Sequence, residues 1–592
     1  MGAIAGILGA VPDQSSKIRE TLSRRAHLGI EELEIPGGRF YHGISRKDGC
    51  QAKKDTSHGE VYDLVLNGTL YNEEEICRDL KISKEGISTA DLILKSYLFW
   101  GQDCVKHFNG VFALAIYEEK QKKLFLARDP MGIKPLFYRT HGDRFLFGSE
   151  IKNILAFPGE KAALTQEGAM ELILLGPGRR PGSGVYENIR ELEPGCRGIY
   201  RDGKLTVTRY WSLKDREHRE NFQDTAEHVS CLIRDAVSRQ TRGQKDYGCL
   251  LSGGLDSSIL SALCREAGRG KAFQTFSVDY LGNDRNFVAG KFQPDSDDAY
   301  IAIMEEFLGS HHKKTLLTPE DLLSHLEEAA LARDLPGMGD VDASLLAFSK
   351  AVKEKVPMVL SGECADEIFG GYPWFRDPEI RQQKGFPWAQ NTALRKDLLI
   401  PGREEAEDFV RDLYADTIKS CHILPACTGE DRRIKELMQL NMVWFMQTLV
   451  DRNDRMSAAA GLDIRVPFCD LRIAQYLYGV PWKMKDHMGR EKGLLRHAVQ
   501  GLLPEEVRMR KKSPYPKTFD PQYADIIQER VRRLLQEDSP VWSLVSRQAA
   551  IRLLSFDDPA PFYGQLMKRP QIGAWLLQMD FLFKKYYVEL SF

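Results

Sequence analysis

Apolar and polar positions along the 592-residue chain fall into three textures. In the first third, short alternating or wholly apolar runs dominate. Residues 63–67 (DLVLN) alternate into a glycine turn. Residues 111–117 (VFALAIY) read as a nearly pure apolar strand, with further strands at 123–127 (KLFLA) and 144–147 (RFLF). A helical stretch at 90–99 separates them. Strands with few helices predict a layered α+β domain. Around 210–220 (YWSLKDREHRE) the pattern turns polar and charged. That predicts the linker, and with it two domains, 1–212 and 213–592.

From about Asn221, helical periodicity alternates with β-rich runs at 247–251, 272–278 and 356–360. Strand–helix–strand order implies a parallel sheet flanked by helices. After about Pro378 the strand signal vanishes, and amphipathic helices are expected to Phe592 as a lobe on the α/β core.

Composition narrows the class. The 82 Lys+Arg against 84 Asp+Glu leave a net charge of −2, so no global field exists to hold nucleic acid. Hydrophobic residues at 43% and charged residues at 28% place the chain among globular proteins. No apolar run approaches the roughly 18 residues that cross a bilayer, and no basic stretch precedes the apolar opening at 1–11. No membrane association is expected. The 11 cysteines include no C-x-x-C pair, which predicts reduced thiols in a cytoplasmic protein.

The strongest motif is SGGLDSS at 252–258, after the 247–251 strand and opening a helix near Ser258. Glycines let the backbone approach phosphate oxygens, and a helix N-terminus supplies N–H donors for an anion. Ser252, Ser257 and Ser258 add hydroxyls. Asp256 beside phosphates asks for a cation, which makes it a candidate Mg²⁺ ligand. A glycine-rich turn without a ligand would leave the Asp and three serines unexplained. A Walker A loop is excluded, because the Gly-Lys-Ser/Thr ending is absent.

This loop resembles that of the N-type ATP pyrophosphatases, which cleave ATP between the α and β phosphates. The resemblance implies ATP bound by Leu251, Ser252, Gly253, Gly254, Asp256, Ser257 and Ser258, with adenine on backbone groups near Val278. Residues 361–372 (SGECADEIFGGY) add Ser361 and Gly362 and pack Glu363, Asp366 and Glu367 into five residues. Such crowding is costly unless cations neutralise it. Asp366 is then the second Mg²⁺ ligand, and Glu363 the candidate general base for an incoming amine.

Together these segments resemble the glutamine-dependent asparagine synthetase family, over nearly the whole chain. Residues 127–138 (ARDPMGIKPLFY), 147–152 (FGSEIK) and 451–470 (DRNDRMSAAAGLDIRVPFCD) match its signatures, with Cys469 where Leu is usual. Lys492, in REKGLLR at 490–496, takes the place of a lysine that stabilises pyrophosphate formation. The resemblance implies an N-terminal αββα sandwich of the Ntn glutaminase type. After it comes an α/β ATP-pyrophosphatase domain, adenine nucleotide α-hydrolase-like, with a helical C-terminal lobe. The implied chemistry is adenylation of a carboxylate, aspartate in the family, followed by attack of ammonia or an amine. A homodimer is implied as well.

The first domain departs from that pattern. Gly2 stands where the family's nucleophilic Cys follows the initiator Met, and the first cysteine is Cys50. The family's Arg-Gly-Pro-Asp stretch has no match at 24–29 (RRAHLG). Its Asn-Gly-Glu appears as Asn67-Gly68-Thr69, and its Ser-Asp-Thr-Glu as Ser88-Thr89-Ala90-Asp91. Without a nucleophile no glutamyl-thioester forms. The expectation is an amide ligase that does not hydrolyse glutamine. Its rivals are a glutamine-hydrolysing asparagine synthetase, a specialised ligase of the lasso-cyclase or β-lactam-synthetase type, and a nucleotide-binding scaffold. Asp334, Asp340 and Asp342 are expected to cap a helix rather than bind an ammonium group.

Overall fold

The computed structural model describes residues 2–9, 15–45, 50–57, 59–268, 273–286, 296–555 and 562–592. Two six-stranded antiparallel sheets make up the first part of the chain. In one, Gly2–Leu8 lies between Gly38–Ile44 and Arg144–Gly148. In the other, Glu60–Leu70, Gly110–Glu118 and Lys123–Arg128 run side by side.

Two-residue alternation builds the layers. Ile4, Phe40 and Phe147 of the first sheet meet Val65, Ala115 and Leu126 of the second. The intervening Ala3, Ala5 and Ile7 pack with Ile18 and Leu22 of the helix Ser15–Ser23. On the opposite side, Leu64, Leu66 and Leu114 lie under Ile76, Leu92 and Ile93 of Glu73–Asp79 and Thr89–Trp100. This is the expected αββα sandwich. The glycine turn expected after Asn67 is not formed. Gly68 continues the strand opposite Phe112, and a Cβ there would lie 2.1 Å from the Val111 carbonyl oxygen. Close backbone approach, not chain reversal, requires this glycine.

The second part holds a five-stranded parallel sheet in the order His311–Leu317, Gln274–Tyr280, Gly248–Leu250, Met358–Leu360, Asp463–Arg465. The chain builds outward from Gly248–Leu250 in one direction, then returns to build in the other. Ligands of open α/β sheets bind at such a switch point, outside the carboxyl ends of the strands. The crevice therefore falls between Gly248–Leu250 and Met358–Leu360, whose following segments are the two motifs singled out above.

Several elements differ from expectation. Residue 272, the first of one predicted strand, lies outside the described residues, and that strand runs Gln274–Tyr280. The polar edge strand His311–Leu317 (HHKKTLL) gave no alternating signal. Strands do not vanish after Pro378: Asp463–Arg465 completes the sheet, and Glu589–Ser591 pairs in parallel with Ala163–Thr165. Each is three residues long, too short for periodicity to register. Among the described residues, no helix is long and apolar enough to cross a membrane.

Buried charges join the two parts. Asp454 accepts from Arg25 at 2.6 Å and from Lys134 at 2.7 Å, and Arg455 faces Glu150 at 3.3 Å. Asp334 accepts from Lys152, the Ile151 N–H and the Tyr586 hydroxyl. Asp334 does cap: it is the C-cap residue of the helix Leu326–Arg333, and its partner Ile151 opens the helix Ile151–Leu155. Its neighbours do not: the helix Asp340–Lys353 starts after Gly339 without a side-chain cap. Asp342 accepts from the Met338 N–H and Arg333, and Asp340 from Gln571. A polar sequence around a helix start suggested caps on that helix, whereas burial gave Asp334 and Asp340 partners far along the chain and left Asp342 with the nearby Met338 and Arg333.

Candidate functional site

The phosphate loop and the acidic turn meet backbone to backbone. The loop helix runs Leu255–Ala267, starting three residues before the predicted Ser258. Asp256 and Ser257 therefore lie in its first turn. Gly254 precedes the helix without any side-chain cap, which leaves first-turn N–H groups available to an anion. Gly253 has φ +65°, and a Cβ there would lie 2.7 Å from Tyr300 Cβ. A Cβ on Gly362 would lie 2.9 Å from that of Asp256. Only glycines let the two segments close to this distance.

Ser252 and Ser257 hydroxyls lie 3.1 Å apart, and Ser257 donates to the Gly254 carbonyl. Both line a cavity of about 250 Å³, together with Leu251, Gly254, Asp256, Val278, Ser361, Gly362, Glu363 and Asp366. Lys492 joins them. Two predicted residues do not reach it. Gly253 shapes the turn, and Ser258 is fully buried beneath the helix.

Lys492 is the hub. Its Nζ lies 2.5 Å from Asp256 Oδ2 and 2.6 Å from Asp366 Oδ1. It reaches both from a left-handed backbone position, φ +55°, just before the helix Gly493–Ala498. Burial opposes its charge, but Asp256 and Asp366 outweigh that and hold its pKa above the usual range. Burial would likewise raise Asp366, yet Lys492 and Lys512 bring it down to about 2. Asp256 is pushed up by burial despite Lys492.

Sequence reasoning missed Lys512, Arg452 and Arg510. Lys512 donates to Asp366 Oδ2 at 2.6 Å. Arg510 donates to the Ser252 carbonyl at 3.0 Å and lies over the Tyr300 ring, bracing the loop from outside. The run Arg510-Lys511-Lys512 before Pro514 was the available signal. Arg452 stands 3.4 Å from Glu363. Burial raises the Glu363 pKa in spite of that neighbour. Glu367, the third acid of the turn, is buried and accepts from the Tyr372 hydroxyl at 2.7 Å, and burial pushes its pKa to about 8. A neutral, hydrogen-bonded Glu367 relieves the crowding that the sequence suggested.

The expectation of reduced thiols is corrected at one place. Cys364 and Cys469, 105 residues apart, are joined as a disulfide. The pairing has no sequence signal, because it depends on the adjacency of two strands.

The family model for asparagine synthase matches residues 228–576. The chain belongs to the asparagine synthase family. A second model, for a glutamine amidotransferase domain, matches residues 43–211. Asparagine synthetase (glutamine-hydrolyzing) 3 of Bacillus subtilis is 41% identical, over 98% of this chain and 94% of that protein. Asparagine synthetase (glutamine-hydrolyzing) 1 of the same organism is 26% identical, over 81% and 79%. Among solved structures, glutamine phosphoribosylpyrophosphate amidotransferase from B. subtilis aligns with 53% of this chain and 81% of its own at 14% identity. Its TM-score of 0.28 is too low to carry an argument. Membership makes this asparagine synthase family protein an ATP-dependent carbon–nitrogen ligase.

One glycine tests the geometry. A Cβ on Gly371 would lie 1.9 Å from Asp366 Oδ1 and 2.4 Å from Lys492 Cε. Gly371→Ala is expected to push Asp366 off Lys492 and lower ATP-dependent pyrophosphate release by about 10²-fold, as misplacement of about 1 Å does. The circular dichroism spectrum should stay unchanged. Activity within twofold of the parent would show that this pairing is dispensable.

Proposed function

We propose that this asparagine synthase family protein adenylates a small carboxylate, aspartate in the first instance, releasing pyrophosphate. It then forms an amide with ammonia or an amine from solution rather than with nitrogen from glutamine. The observation that carries the reading is the convergence of Asp256, Asp366, Lys492 and Lys512 at the strand switch point, with Glu363 on the same turn.

A carboxylate is a poor acyl donor until an oxygen is converted to a leaving group. The first-turn N–H groups near Gly254 suit the phosphates of ATP. Lys492, held protonated by two carboxylates, suits the negative charge that builds on departing pyrophosphate. Mg²⁺ fits Asp256 and Asp366. Asp256 Oδ1 is buried without a hydrogen-bond partner, and two carboxylates plus phosphate oxygens are the donors this ion prefers. Bound there, Mg²⁺ would offset phosphate charge. Glu363 is suited to take the proton that the amine loses at the acyl carbon, because its raised pKa brings it nearer neutrality.

The nitrogen source is argued from the first domain. The strand Gly2–Leu8 (GAIAGIL) carries neither thiol nor hydroxyl. Altered family positions carry structural contacts instead, while Asn67 and Gly68 are retained. Arg25 pairs with Asp454 and Glu150. Thr69, in place of the family's Glu, sits in the sheet ladder opposite Val111. Ser88 and Asp91 form a reciprocal cap on Thr89–Trp100. The names of the B. subtilis relatives favour a second reading, hydrolysis of glutamine.

The test is pyrophosphate release by the full chain with ATP, Mg²⁺, aspartate and ammonium. Release that depends on aspartate is expected. No release with aspartate, alongside release with another carboxylate or peptide, would replace aspartate with a specialised acyl substrate.

A further inference from the structure

We infer that Cys364 and Cys469 form a redox modification site, a dithiol whose oxidation by a peroxide through the nucleotide cavity closes a bridge that slows turnover. The activity arm of this inference rests on the proposed ligase reading; the bridge itself does not.

The two thiols stand at the ends of adjacent parallel strands. Cys364 follows Met358–Leu360 and Cys469 follows Asp463–Arg465, with Cα atoms 5.6 Å apart. That separation is within the range a disulfide spans without backbone movement. Cys364 occupies a left-handed backbone position, φ +78°, where a residue with a side chain is uncommon. Its sulfur is therefore in place at a conformational cost that glycine would avoid. Among the described cysteines, Cys77, Cys104 and Cys196 are buried without such a pairing.

Access runs through the active site. Cys364 lines the cavity that also holds Asp256, Glu363 and Asp366, while Cys469 is buried behind it and does not line the cavity. Hydrogen peroxide is small enough to enter, and bound nucleotide would shield the sulfur. The Cys364 thiolate attacks one peroxide oxygen, the O–O bond breaks, and a sulfenic acid and hydroxide form, the hydroxide taking up the proton the thiol gave to solvent to become water. The Cys469 thiolate then attacks that sulfur, the S–O bond breaks, and the released hydroxide takes a proton as a second water. The two sulfurs together lose two electrons, and the two peroxide oxygens gain them.

The consequence follows from position. Cys364 lies between Glu363 and Asp366. Asp366 must exchange Lys492 and Lys512 for a cation, and Glu363 must leave Arg452 to accept a proton. A bridge anchors their turn to Cys469 and so to Asp470, which is held by Arg472 and Asn109. That anchoring restrains both exchanges.

The experiment treats the reduced full chain with hydrogen peroxide, with and without ATP. Remaining thiols are then alkylated, peptides are mapped by mass spectrometry, and pyrophosphate release is measured in parallel. A linked Cys364–Cys469 peptide is expected, reversed by dithiothreitol and suppressed by ATP, with release at least about tenfold lower. Cys469→Ala, with Cys469→Val as a second variant checked by thermal melting, should keep the reduced rate and lose the sensitivity. Failure to find the linked peptide, or a bridged chain with full turnover, would overturn the inference. So would equal peroxide inhibition of both variants. A reduced chain that releases no pyrophosphate with any carboxylate would instead sink the ligase reading, while the peptide map still decides the bridge.

Discussion

Lys492→Met is expected to lower ATP-dependent pyrophosphate release by about 10²- to 10³-fold, the loss typical when one preorganised donor to developing negative charge is removed. The lysine is buried between Asp256 and Asp366 and contacts both. Methionine keeps much of its shape and none of its charge. Without the lysine, two buried carboxylates face each other, a costly arrangement that a divalent cation can relieve. The variant should therefore melt at a lower temperature than the parent without Mg²⁺ and recover when Mg²⁺ is added. Lys492→Arg should not rescue the rate, because a planar fork cannot occupy the place of a point charge between two carboxylates. A Lys492→Met chain releasing pyrophosphate within threefold of the parent would remove Lys492 from the chemistry.

Asp454→Ala is expected to destabilise the chain by about 3–5 kcal/mol, because it strands two buried cations. Arg25 and Lys134 come from the sandwich, while Asp454 comes from the helix Met446–Ala459 that also carries Arg452. Loosening this contact should therefore disturb the crevice as well as the interface. The same pairing sets an acid limit. Burial would raise the Asp454 pKa, but Arg25 and Lys134 outweigh it and hold it at about 2, below the ordinary 3.8. A depressed carboxylate contributes stability that is fully present above its unfolded pKa and is lost as pH falls toward the folded one. The parent should thus lose on the order of 2 kcal/mol between about pH 4 and pH 2 from this residue alone. Acid titration followed by circular dichroism checks the window. An Asp454→Ala chain that unfolds along the parent's acid curve would contradict it.

Much of the fold was legible because its longer strands are nearly pure apolar runs. The strand at Gly110–Glu118 was read from its apolar run. The opening Gly2–Leu8 is apolar on both faces, so its sequence did not show which side Ile4 and which side Ala3 and Ala5 would take. The phosphate loop was legible because glycine, acid and serine at one strand–helix junction have few other uses. Position was harder to read. Lys512 comes 146 residues after its partner Asp366, and Cys469 comes 105 residues after Cys364. Their meeting depends on strand order, and three-residue strands such as Asp463–Arg465 leave almost no trace in the pattern. Asp334, Asp340 and Asp342 show the opposite difficulty. A local rule about helix starts was available, but burial handed Asp334 and Asp340 to partners far along the chain and gave Asp342 the nearby Met338 and Arg333 instead.

The first domain is where sequence and family part, and the structure gives the altered positions other work. Arg25 is committed to the interface and Asp91 to a helix cap. The most direct measurement follows amide nitrogen. The full chain is incubated with ATP, Mg²⁺ and aspartate, once with ¹⁵N-ammonium and once with glutamine labelled at its amide. The account predicts label in the product amide from ammonium, with AMP formed in step, and none from glutamine. Label arriving from glutamine as readily as from ammonium would contradict it.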